Sequence, residues 1–157
     1  MSTQAHAHHH HDHAGWRPAV QATAHCLTGC AIGEVLGFVI GTSLGFSDLG
    51  TIALAVALAF LFGYALTMRS VLRSGLAFGA AVSVALAADT VSITVMEVVD
   101  NAVMLAVPGA MEAGVADVTF WAALAFALAV AFVVTVPVNR WMIARGRGHA
   151  KAHEHMH

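Results

Sequence analysis

TAHCLTGCAIGEVLGFVIGTSLG, residues 23–45, is the stretch whose reading decides the fold. It is apolar enough to cross a bilayer, yet it carries His25, Cys26, Cys30 and Glu34. Glycine recurs at every fourth position: Gly29, Gly33, Gly37, Gly41 and Gly45. At about 100° per residue, with His25 at zero, the glycines sweep from roughly 40° to 200°, and Cys26, Cys30 and Glu34 fall near 100°, 140° and 180°. Both thiols and the carboxylate therefore share the glycine face. Glycines four apart let another helix approach closely in lipid, which makes this face the expected surface of a homo-oligomer. The plainer alternative is a packing seam that happens to hold two small cysteines. Glu34 speaks against it, because a charge at mid-membrane costs roughly 2.5–3.5 kcal/mol and must face a partner, a cavity or a pore.

The composition agrees with a membrane setting. Of 157 residues, 59% are hydrophobic and 10% are charged, and mean hydropathy is +0.76. About a quarter of a soluble domain is charged. The expected class is all-α, a polytopic protein whose principal partner is the lipid bilayer; no nucleic-acid partner is expected. No basic segment followed by a short apolar run marks a cleavable signal, so the first span itself is expected to direct insertion.

Residues 1–21, with HAHHHHDHA, read as a disordered His-rich tail, and residues 148–157, GHAKAHEHMH, repeat that composition. Residues 22–147 read as a transmembrane domain of four helices. The apolar segments are residues 22–46, 51–68, 76–107 and 120–143. The second is almost purely Ala, Leu, Val and Phe, and reads as a lipid-facing support. The fourth carries Trp121 and Trp141 as interfacial anchors, and Pro137 as an expected kink. The bases are Arg17, Arg69, Arg73, Arg140, Arg145, Arg147 and Lys151, while both intervening loops between spans one and two and between three and four hold only acids. Four spans with both termini cytoplasmic, in a bacterial inner membrane, satisfy the positive-inside rule without exception.

Only the third segment matches the first in chemistry: ADTVSITVMEVVDNAVML, residues 88–105. Asp89, Ser92, Met96, Glu97, Asp100 and Met104 share about 140° of arc, with Ile93 the one apolar intruder. Ser and Thr can bond back to the helix and Met fills gaps. Three acids together are harder to explain that way, since intramembrane acids mark ion paths or proton relays. Glu34 lies about twelve residues into its span and Asp89 about thirteen, which predicts that they meet near the midplane. Glu97 and Asp100 then lie toward the outer side, and His25, Cys26 and Cys30 toward the inner side. The second and fourth segments offer almost nothing polar at these depths.

Four motifs, HCLTGCAIGEVLG (residues 25–37), FLFGYALTMR (60–69), ADTVSITVMEVVDNAVMLAVPGAM (88–111) and PVNRWMIARGRGH (137–149), resemble bacterial membrane proteins grouped as domain of unknown function 4396. The resemblance implies a four-helix bacterial membrane protein. It carries no activity and no site residues with it.

From the residues themselves, the leading expectation is metal-ion handling or transport. His25, Cys26, Cys30, Glu34, Asp89, Met96, Glu97 and Asp100 would line the path between the first and third helices. Cys, His and Met suit Cu(I), and Cys and His also suit Zn(II), so copper or zinc is the expected ion. One alternative is a non-transporting component whose polar groups form a closed network. Another is a proton-coupled small-solute carrier, using the carboxylates alone. A thiol oxidoreductase ranks last, because Cys-x-x-x-Cys is not the redox spacing. No nucleotide loop, hydrolase elbow or other enzyme motif is present, and no enzymatic activity is expected.

Overall fold

The computed structural model describes residues 15–73, 75 and 77–145, and only the backbone of 81, 84, 85 and 88. The expectations for the His-rich segments within residues 1–14 and 146–157 lie outside the described residues. Among those described there are helices and no strand: α1 (Trp16–Ser43), α2 (Asp48–Arg73), α3 (Phe78–Ala106) and α4 (Val118–Ala144). Three of them, α1, α2 and α4, are long and apolar enough to cross a membrane. The chain is thus a multi-pass membrane protein.

Helix α1 begins six residues before the apolar segment. Pro18 sits in its first turn, where a missing N–H breaks no helical bond. The Arg140 guanidinium lies 4.3 Å over the Trp16 ring, which fixes that turn against the end of α4. Residues 16–21 are therefore helix, and not part of a disordered tail. At the other end Gly45 adopts φ +69°. Phe46 N donates to Gly41 O at 2.9 Å and Gly45 N to Thr42 O at 3.2 Å, the double bond of a Schellman stop. Gly45 therefore ends the helix and does not belong to its packing face.

The remaining glycines pack inside the chain. A β-carbon at Gly29 would stand 2.7 Å from the Gly63 Cα, and one at Gly41 would stand 2.6 Å from Thr51 Oγ1. At Gly33 and Gly37 it would collide with Ala59 and Ala55. Helix α2 answers with its own row of small buried residues at every fourth position: Thr51, Ala55, Ala59, Gly63 and Thr67. The pairing 29–63, 33–59, 37–55, 41–51 makes α1 and α2 an antiparallel hairpin in near backbone contact. Two sequence expectations change here. The second helix is more than a support: one row of it is the intimate partner of the first, while its other faces stay exposed. The glycine face is covered by α2, so a homo-oligomer through it has no free surface.

Helices α3 and α4 close a four-helix up-and-down bundle. At the end holding Asp48, Glu112 and Asp117, an apolar cluster joins Phe38, Ala55, Met104, Phe120 and Leu124. Phe38 and Phe120 meet edge to face at 5.2 Å. A second cluster, in the middle, holds Cys26, Cys30, Ala59, Ile93, Met96 and Ala131. At the basic end Ala19 packs with Val136 and Ile143. Helix α4 runs on through Pro137 without a break in assignment. Trp121 and Trp141 are about 20 residues apart on it, or roughly 30 Å, the thickness of a hydrocarbon core.

Candidate functional site

Cys26, Cys30, Glu34 and Phe38 form one i, i+4 ridge of α1, and all four are buried. That ridge faces α3 level by level. Cys26 Sγ donates to Asp89 Oδ1 at 3.5 Å. The Cys30 thiol stands beside the Glu97 carboxyl. The Glu34 and Asp100 carboxyls face one another. Above them Phe38 and Met104 share the apolar cluster. Numbers rise together on both helices, so α1 and α3 run parallel.

The pairing corrects the expected register. Glu34 meets Asp100, and the residue opposite Asp89 is Cys26. Hydropathy placed the start of the first span at Ala22, whereas the helix starts at Trp16. Depth counted from the apolar edge therefore left Glu34 about two turns too close to the basic end.

Burial is nearly complete along this column. Asp89 is 0% exposed, Glu34 and Asp100 are each 1%, and Glu97 is 5%. Glu97 also receives Asn101 Nδ2 at 3.5 Å. Neither oxygen of Glu34 or Asp100 takes a hydrogen bond from another donor among the described residues. Two carboxylates offer only acceptors, so this pair can be satisfied by a proton held between them or by a bridging cation.

Helix α4, expected to be silent, supplies a further member. Asn139 Nδ2 donates to Thr23 Oγ1 at 2.8 Å, and Asn139 Oδ1 accepts from Ser92 Oγ. Thr23 in turn donates to Ala19 O at 2.8 Å. One amide thus ties α1, α3 and α4 together on the basic side of Cys26. Its signal in the sequence was its isolation, the single amide in a helix whose other interior residues are apolar apart from Thr135. Such residues in a span pair across helices.

His25 does not join the thiols. It continues the glycine ridge (25, 29, 33, 37, 41), so it points toward α2, into a groove with Leu66, Arg69, Ser70 and Arg73. Among the described residues, no group of three or more His, Cys, Asp or Glu is placed to hold one metal ion. The soft donors that do come together are Cys26, Cys30 and Met96, all in the middle cluster. Both cysteines are free thiols. Of the eight residues expected to form the site, seven line the α1–α3 column and His25 lies outside it.

A family model described as a domain of unknown function, DUF4396, matches residues 15–148. The chain belongs to that family. No curated protein and no solved structure matches the chain.

Proposed function

We propose that this is a four-span inner-membrane protein, with both termini cytoplasmic, that handles a soft metal cation in the α1–α3 column. Monovalent copper is the preferred cargo, and zinc the second. The observation that carries the reading is the pairing of each thiol with a buried carboxyl, Cys26 with Asp89 and Cys30 with Glu97. A thiol binds metal only after losing its proton. Each of these thiols has a proton acceptor beside it, and Met96 adds a thioether to the same cluster. Soft sulfur donors in an apolar surround select Cu(I). Glu34 and Asp100 extend the polar column toward the acidic end, as a station for a proton or cation.

The orientation follows from the charges. Arg17, Arg69, Arg73, Arg140 and Arg145 lie where α1 begins and where α2 and α4 end, while Asp48, Glu112 and Asp117 lie at the opposite end. α3 is read as the fourth span, its three acids turned inward.

The test uses the full chain with its ten tail histidines replaced by glutamine, since the tails would bind metal whatever the helices do. Titrated with Cu(I), it is expected to bind one ion per chain and to release protons. The Cys26→Ser/Cys30→Ser form should lose both signals. Equal stoichiometry and affinity in the two proteins would overturn the reading. The second reading, a closed network that only fixes the packing, is favoured by one observation: Cys26 and Asn139 already have hydrogen-bond partners. It predicts no ion uptake by either form.

A further inference from the structure

Two grooves meet at the basic end of the α1–α2 hairpin, and they share Arg69 and Arg73 as a common wall. One is polar, completed by His25, Leu66 and Ser70, and encloses about 350 Å³. The other is apolar, completed by Ala65, Met68 and Leu72. Arg69 and Arg73 are one helical turn apart on the exposed side of α2, so their guanidinium groups can converge on one anion. His25 Nε2 is buried and has no hydrogen-bond partner among the described residues. Among the described residues, no carboxylate lines either groove.

From this arrangement we infer that the joined grooves hold an anionic phospholipid, its phosphate against Arg69, Arg73, Ser70 and His25 and its acyl chain along Ala65, Met68 and Leu72. A free anion would use the polar half alone and leave the apolar half without purpose. An amphipathic anion uses both. The level is also right. Arg140 over Trp16 and Arg145 over Trp141 mark the same end of the bundle, and both contacts are 4.3 Å. Tryptophan with arginine is the composition of a headgroup boundary, and basic pockets between spans on the cytoplasmic side recognise anionic headgroups. The site is separate from the cysteine column, and stands or falls without it.

The test is native mass spectrometry of the full chain in detergent, with phosphatidylglycerol, with phosphatidylcholine of the same acyl chains, or with inorganic phosphate. One phosphatidylglycerol per chain should be retained over phosphatidylcholine, and inorganic phosphate should not displace it at comparable concentration. Arg69→Gln/Arg73→Gln should weaken retention roughly thirty-fold, while Arg145→Gln changes it by less than about two-fold. Should circular dichroism show the double variant unfolded, the single variants Arg69→Gln and Arg73→Gln are each expected to lose about five-fold. Equal retention of the two lipids overturns the inference, as does an equal loss in Arg145→Gln. Displacement by inorganic phosphate would reassign the polar groove to a free anion and likewise overturn it.

Discussion

Helix α1 meets two neighbours in opposite ways. Toward α2 it presents Gly29, Gly33, Gly37 and Gly41, and the two backbones nearly touch. Toward α3 it presents Cys26, Cys30 and Glu34, each against a carboxyl. The first interface, built of small residues with Thr51 and Thr67 among them and His25 at its end, gains its stability from dispersion at close range. The second holds most of the buried ionisable groups, and burial of such groups is a cost unless they are paired well. One interface builds the protein, and the other loads it with chemistry at the expense of stability.

The largest effect should come from breaking the first interface. Gly33→Leu drives a side chain into the Ala59 and Leu58 backbone, which cannot move aside. A loss of about 3 kcal/mol or more is expected, read as failure to recover folded protein or as a collapsed unfolding midpoint in detergent. Gly63→Ala is the internal control. Its new methyl would meet only the Ile93 side chain, Cδ1 at 2.5 Å and Cγ1 at 3.4 Å, and that flexible tip can yield. If the two substitutions cost the same, near backbone contact is not what holds α1 to α2.

The next effect sharpens the second interface and has the opposite sign. Glu34→Leu or Asp100→Leu alone leaves one buried carboxyl without its partner and should destabilise by about 1–3 kcal/mol. The double substitution removes both and should match or exceed the parent, by about 1–4 kcal/mol. A double-mutant cycle on chemical unfolding measures the coupling. Simple additivity would show that the two carboxyls do not act as a pair, and the contrast between the interfaces would fail there.

The smallest effect lies outside both interfaces, at the start of α4. Asp117 Oδ1 accepts from Thr119 N at 2.8 Å, and that bond holds the carboxyl below its usual range. A group with a lowered folded pKa contributes above its unfolded value, and that contribution fades as pH falls through the folded one. The unfolding midpoint should therefore drop slightly between about pH 5 and pH 3, and Asp117→Ala should remove this part of the slope. An unchanged slope in Asp117→Ala would show that the cap contributes nothing.

Much of this fold was written in hydropathy and in the spacing of Gly29 to Gly41. The apolar segments match the four helices within a few residues, except at Trp16, where a cation–π contact holds α1 into polar sequence, and at Arg73, where α2 runs on past Met68. The wheel placed glycines and thiols on one face, and the bundle divides them. Residues 26, 30, 34 and 38 form one ridge, and 25, 29, 33, 37 and 41 the next. A projection down the axis merges ridges that stand about 90° apart at equal height. The acids of α3 were legible as one face, but their partners were not, because register depends on where each helix begins. Asn139 was hidden by the apolar bulk around it.

The turn at residues 44–47, sealed by the Gly45 stop, has a consequence for biosynthesis. Since α1 and α2 are joined by so few residues and recognise each other through adjacent sequence, their hairpin can form as soon as Arg73 leaves the ribosome. Helix α3 emerges later, bearing Asp89, Glu97 and Asp100, which together would cost about 7–10 kcal/mol if presented to lipid alone. With α3 read as the fourth span, the finished hairpin would offer it the Cys26–Glu34 ridge as a polar seat on leaving water.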